Sequence, residues 1–250
     1  MSGHSKWANI KHRKAAADKK RGAEFTKLAR AITIAAGEGG GDLDANFALR
    51  LAVDKARGAN MPKDNIERAI ARGTGDLKGD ALERILYEGY GPNGAAILID
   101  ALTDNRNRTV SEIRYLFSRH GGSLGESGSV AWQFERRGMI SLPVGDVDPD
   151  ELALAAIDAG ALDIEVDTDF VTVITDATDL REVQGSLRDG GFDTAESDLA
   201  MVPTNPVSME DKQTVSILKL VEALEELDDV DRVWTNVEIS DAAAEAFATA

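Results

Sequence analysis

GMISLPVGDVDPDELALAAIDAGALDIEVDTDFVTVITDATDLREVQGSLRDGGFDTAESDLAMVP, residues 138–203, decides the fold. Met139–Leu142, Leu162–Val166, Phe170–Thr175 and Thr194–Val202 read as strands, with helices over Pro149–Ala159 and Leu180–Asp189. A β-α-β-β-α-β order is the ferredoxin-like split βαβ arrangement. Asp146, Asp148 and Asp150 alternate as in a calcium loop, but an EF-hand needs glycine where Glu151 stands and glutamate where Ile157 stands. They read as the capped start of a helix.

Upstream, Leu82–Tyr90 and Ala95–Leu102 flank the turn Gly91-Pro92-Asn93-Gly94 and make a hairpin. Thr109-Val110-Ser111-Glu112 reads as a capping box opening a helix that turns Ile113, Leu116 and Phe117 inward. Val130, Trp132 and Phe134 alternate as a strand. Downstream, Ser208 and Asp211 look like caps for a long helix through Leu218, Val221, Leu224 and Leu227, and Arg232–Ser240 alternates as a strand. A lone helix and strand cannot bury themselves, so they are predicted to dock on the 81–135 sheet. The expected architecture is α+β and multi-domain. It comprises a helical domain over 1–78, an α+β domain from 79–137 plus 204–240, an inserted acidic ferredoxin-like domain over 138–203, and a frayed tail over 241–250.

In the helical domain, Phe25, Leu28, Ala29, Ile32 and Ala36 recur at helical spacing, which predicts a helix over Ala23–Ala36 after an interruption at Gly22. Asn46–Arg57 repeats the pattern with Leu49, Ala52, Val53 and Ala56. Pro62 opens a third helix that buries Ile66, Ala69 and Ile70 and stops at Gly73.

Charge is sorted along the chain. Residues 1–80 hold 16 Lys+Arg against 10 Asp+Glu, residues 81–140 hold 7 of each, and residues 141–250 hold 5 against 27. The regional balances are +6, zero and −22 within a total of −16. Screening over about 8–10 Å at physiological salt lets separate lobes act almost independently. A basic lobe on an acidic chain points to a polyanionic partner, and nucleic acid is the usual one. The candidate arm contacts are Lys6, Trp7, Lys11, His12, Arg13, Lys14, Lys19, Lys20, Arg21, Lys27 and Arg30. Trp7 and His12 could stack on bases, or Trp7 could pin the arm to the body. Arg50, Lys55, Arg57, Lys63, Arg68 and Arg72 form a secondary rim on polar helix faces, where exposed charge is also ordinary. Arg106 and Arg108 could hold a phosphate beside a helix N-terminus, or pair with Asp104. Two other outlets for the basic arm are the chain's own acidic domain and the acidic domain of a second copy, which would make the protein a self-associating scaffold; the acidic C-terminal region could itself meet a protein partner, a ribosomal protein or a factor.

Several chemistries lack their residues. With no cysteine there is no disulfide, thiolate metal site or cysteine nucleophile. His4, His12 and His120 have no metal-ligand spacing, and no Gly-x-Ser-x-Gly elbow occurs. The glycine runs at 37–41 and 121–128 lack the Gly-Lys-Ser/Thr ending of a P-loop. No catalytic residue, metal or cofactor is therefore expected. Met1 to Ile10 has no apolar run of signal type and no segment approaches a membrane span, so a soluble cytoplasmic protein is expected.

Four blocks together resemble the YebC/PmpR family along nearly the whole chain. They are Ser2-Gly3-His4-Ser5-Lys6-Trp7-Ala8-Asn9-Ile10-Lys11-His12-Arg13-Lys14, Asn60-Met61-Pro62-Lys63-Asp64-Asn65-Ile66-Glu67-Arg68-Ala69-Ile70, Tyr87-Glu88-Gly89-Tyr90-Gly91-Pro92 and Leu102-Thr103-Asp104-Asn105-Arg106-Asn107-Arg108-Thr109. The resemblance implies a helical domain followed by an α+β domain that carries a ferredoxin-like insertion. It also implies DNA-binding transcriptional regulation without known catalysis. Other members resemble ribosome-associated translation factors that relieve stalled synthesis on rRNA or tRNA, and a mitochondrial relative activates translation of cytochrome c oxidase. The chain departs from the family pattern at Phe47-Ala48, where Pro and Arg are expected, which removes one phosphate contact.

Overall fold

From residue 21 on, the described residues of the helical lobe form three helices, α1 (Arg21–Gly39), α2 (Phe47–Gly58) and α3 (Lys63–Gly73). The computed structural model describes residues 6, 7, 10, 21–78, 81–145, 148–167, 170–192, 194 and 196–249. The apolar stripes of these helices meet in one core, with Leu28, Ile32 and Ala36 of α1 against Leu49 and Val53 of α2 and Ile66 and Ala69 of α3. Gly22, expected as an interruption, lies inside α1. Asn46 ties the bundle together. Its Oδ1 accepts from Leu49 N at 3.0 Å, capping α2, while its Nδ2 donates to Ala35 O at 2.7 Å and Gly40 O at 2.8 Å. A Cβ on Gly73 would sit 2.3 Å from Thr33 O, so only glycine lets the end of α3 lie this close to α1.

The hairpin forms as read, from β1 (Glu83–Tyr90) and β2 (Ala96–Thr103). Its turn uses left-handed residues at Asn93 and Gly94, with φ of 59° and 82°. After it come α4 (Arg106–Arg119) and the short β3 (Ser123–Leu124). Then follow β4 (Phe134–Pro143), α5 (Pro149–Asp158), β5 (Asp163–Val166), β6 (Phe170–Asp176), α6 (Leu180–Asp189) and β7 (Glu196–Pro203). The chain ends with α7 (Asp211–Glu225), β8 (Val230–Thr235) and α8 (Asp241–Ala248).

Two antiparallel sheets result, ordered β3-β1-β2-β8 and β5-β6-β4-β7. In the second sheet the local strand order is 2-3-1-4, the ferredoxin-like arrangement, with Ile140, Leu142, Val171 and Val173 packed against Leu152, Ala156, Leu180 and Val183 of its two helices. In the first sheet β8 returns from the far end of the sequence to pair with β2, as the need to bury a lone helix and strand requires. Ile97, Ile99 and Val233 on one face pack under α4 and α7, against Phe117, Leu220 and Val221. The fold is α+β.

Beyond Gly22, and beyond the strand read over Arg232–Ser240 that ends at Thr235, the structure differs from expectation in four places. Residues Ala131–Gln133 are a 3₁₀ turn and the strand starts only at Phe134. The cause is Glu88, whose buried carboxylate accepts from Gly128 N at 2.6 Å and from Val130 N and Ala131 N at 2.7 Å each. Those amides are then unavailable to a ladder. Helix α4 opens at Arg106 under an Asn105 cap, and Thr109 is buried with its hydroxyl bonded to Thr103 and Asp229 instead of capping. Helix α7 is capped by Glu210 with Gln213, while Ser208 bonds Glu238. Finally, the 241–250 segment expected to fray holds α8, capped by Ser240 and pinned by Phe247 at 2% exposure.

Candidate nucleic-acid interface

The front of the predicted arm points into the protein. Trp7 is 4% exposed, lies 5.3 Å centroid to centroid from the Phe247 ring, and donates from Nε1 to Glu225 at 3.0 Å. Lys6 is buried beside it and paired with Asp241. Ile10 joins the same core. Trp7 and Lys6 are therefore corrected from surface contacts to anchors of α7 and α8, because burying an indole and a lysine stem here covers Phe247. Lys11, His12, Arg13, Lys14, Lys19 and Lys20 lie outside the described residues, as does the side chain of Arg21.

The next two cations join the helical lobe to the sheet body. Lys27 donates to the carbonyl of Glu225, at the C-terminal end of α7 where the helix dipole is negative, and to that of Val230. Arg30 donates to Asp228 O at 2.7 Å and to Asp229 Oδ1 at 2.6 Å. Asp229 is 3% exposed and also accepts from Arg108 Nε at 3.0 Å, Thr103 Oγ1 at 3.1 Å and Thr109 Oγ1 at 2.7 Å. Burial alone would raise its pKa, but the Arg108 and Thr109 hydrogen bonds and the Arg30 charge hold it below the ordinary carboxylate value. Lys27, Arg30 and Arg108 are likewise corrected, since their donors are engaged by groups of the chain itself. Arg108 also pairs with Asp104 at 2.9 Å, the structural alternative left open by the sequence.

A second junction sits at Asp198 of β7. Its carboxylate meets Arg232 of β8 and, at 3.7 Å, Lys55 of α2, so one side chain touches both sheets and the helical lobe. Burial would raise its pKa, yet Arg232 and Lys55 outweigh that and lower it. Close by, Phe47 and Leu51 of α2 pack on the ferredoxin-like core. The residue that departs from the family pattern thus holds α2 against the second sheet.

What remains outward is the rim. Arg50 pairs with Asp44 at 2.9 Å, Arg57 with Asp54 at 3.3 Å, Lys63 with Glu67 at 3.3 Å and Arg106 with Glu83 at 3.6 Å. Exposed pairs of this kind are worth about 0–1 kcal/mol, so a phosphate can displace the carboxylate. Arg68 and Arg72 are exposed and have no ion-pair partner among the described residues. Among those residues no group of three or more His, Asp or Glu side chains could hold a metal ion, and no helix is long and apolar enough to cross a membrane. The sequence reading missed Asp229, Asp198 and Phe47. Nothing local distinguishes those two carboxylates from the many others, whereas Phe47 carried a signal in its departure from the family pattern.

Residues 5–76 match the TACO1/YebC protein N-terminal domain, and residues 82–237 match the TACO1/YebC second and third domain. A protein of Halothermothrix orenii named "Probable transcriptional regulatory protein" is 52% identical over 244 residues, covering 96% of each chain. One of the same name from Thermotoga petrophila is 51% identical over 242 residues, covering 96% of this chain and 95% of its own. The crystal structure of a conserved hypothetical protein from Aquifex aeolicus superposes with a TM-score of 0.84 at 42% identity, over 90% of this chain and 93% of that one.

Proposed function

The chain belongs to the TACO1/YebC family, and from that premise we propose that it is a non-enzymatic regulatory protein that grips nucleic acid through its helical lobe. DNA is the first reading, in keeping with the regulatory role in its relatives' names. In this reading residues 1–78 are the nucleic-acid-binding domain, 79–137 with 204–240 the body, and 138–203 an acidic domain turned away from the polyanion. Such a layout restricts docking to one orientation in the cytoplasm. The observation that carries it is the segregation of charge, +6 over residues 1–80 against −22 over residues 141–250. The supporting cations are those on the outward rim of α2 and α3, joined in the sequence by those from Lys11 to Arg21. An RNA partner on the ribosome is the second reading, favoured by the family's translation factors and equally compatible with phosphate contacts.

The test is anisotropy titration of the full chain with duplex DNA and with RNA over a range of salt. Replacing Lys11, Arg13, Lys14, Lys20 and Arg21 by Ala should weaken binding. It should also flatten the plot of log K against log salt, by about 0.9 for each phosphate that the variant no longer neutralises. Unchanged affinity and slope would reject the arm as a contact surface. Crosslinking in cells then separates the two partners, with promoter DNA recovered in one case and rRNA or tRNA in the other.

A further inference from the structure

A groove of about 480 Å³ runs between α1 and α3, with Leu82 and Asp104 of the sheet body completing its wall. Its size is that of a small-ligand site. Phe25 and Met61 give it an apolar surface, and Arg68 and Arg72 line it from α3. Two of its other charged groups are already committed, Arg30 to Asp229 and Asp104 to Arg108. Arg68 and Arg72 are not so committed among the described residues. They stand at i and i+4 on one helix, where like charges repel and a shared anion relieves the repulsion. Guanidinium forks match phosphate oxygens, and the half-buried Phe25 ring offers a base a face to lie on. A paired base cannot reach that surface while it remains stacked in a duplex.

We propose that this groove takes one unpaired nucleotide of a single-stranded nucleic acid, with its phosphate between Arg68 and Arg72 and its base on the Phe25 ring. The proposal rests on the reading of the helical lobe as nucleic-acid-binding and adds to it a preference for unpaired strands. Both arginines are exposed, so the double variant Arg68→Gln, Arg72→Gln keeps the fold.

The full chain is titrated with a short oligouridylate, a short oligothymidylate and a duplex of the same length. Single-strand affinity should fall about tenfold or more in the variant, as loss of a stacked, clamped base implies, and by clearly more than duplex affinity, which loses only the two rim phosphate contacts. Oligouridylate and oligothymidylate distinguish an RNA strand from a DNA strand as the source. A 5-iodouracil strand, irradiated on the wild type, should crosslink to Phe25. Equal losses on duplex and single strand would reduce the arginines to rim contacts and overturn the proposal, as would an unchanged single-strand affinity or crosslinks elsewhere. Binding to duplex alone overturns the groove while leaving the proposed function standing. Binding to none of the three overturns both.

Discussion

Replacing Asp229 by Asn keeps the side chain's shape but removes its negative charge and puts an amide donor where an oxygen accepts from Arg and Thr donors, so it tests the junction between the helical lobe and the sheet body. The carboxylate is 3% exposed, while the Arg30 and Arg108 side chains it holds are 19% and 41% exposed. Breaking a buried ion pair costs about 3–5 kcal/mol. Arg108 can recover hydration and keeps Asp104, whereas Arg30 loses its one ion-pair partner among the described residues, so about 2–4 kcal/mol is expected here. The loss should appear in urea unfolding at neutral pH and in faster hydrogen exchange of the α1 amides, because Arg30 lies on that helix. The pH dependence has a definite sign. The pKa of Asp229 is depressed in the folded protein, so its contribution is present above its unfolded value of about 3.9 and disappears as pH falls through the folded value. Variant and wild type should therefore differ at pH 7 and converge in acid. Stability within about 0.5 kcal/mol of wild type at pH 7, with α1 protection unchanged, would refute the assignment of Asp229 as the lobe junction.

Two further outcomes follow from buried groups. Asp100 has its pKa raised to about 6 from 3.8, first by burial and against the pull of Arg84, and its Oδ1 has no hydrogen-bond partner among the described residues. Its protonated form favours folding below about pH 4 and that advantage is lost as pH rises through 6, so Asp100→Asn should gain up to about 3 kcal/mol at pH 8 and almost nothing at pH 4; denaturant unfolding showing equal gains at both pH values would sink this. Trp7→Ala should cost about 3–5 kcal/mol of stability by opening a cavity against Phe247, while the affinity of the folded protein for nucleic acid is unchanged. The reverse pattern, weakened binding at wild-type stability, would return Trp7 to the role of a base-stacking residue.

How much was legible depended on the range of the interaction that decided each feature. The helices of the N-terminal lobe and the β-α-β-β-α-β run were readable because their signals are local, namely apolar periodicity, Gly73 and the Pro149 helix start. The return of β8 to β2 was readable from a burial argument, since α7 and β8 have no other surface to cover. The 3₁₀ turn at Ala131–Gln133 was not, because its cause is a carboxylate more than forty residues earlier in the chain. Helix α8 was misread because an Ala-rich segment is only as stable as its anchor, and that anchor is Phe247 against Trp7 from the opposite end of the sequence. The same holds for the cations. Periodicity says that Lys27 and Arg30 stand off the apolar stripe of α1, but their acceptors are some 200 residues away.

That distance matters for function, because cations are scarce in this chain, with 28 Lys+Arg against 44 Asp+Glu. Energetics sorts them into two sets. A phosphate competing for Arg30 would have to break a buried pair at a cost of several kcal/mol, and nothing in an exposed polyanion contact returns that much. Arg57 is 62% exposed beside Asp54, and Lys63 is 86% exposed beside Glu67, so displacing either carboxylate costs about 1 kcal/mol or less. Counterion release can supply that for each phosphate gripped. Inward cations thus fix how the helical lobe sits on the body, and outward ones stay available to a ligand. Arg30 and Arg108 are told apart from the rim by the burial of the carboxylate they share, a property that no count of lysines and arginines along the sequence contains.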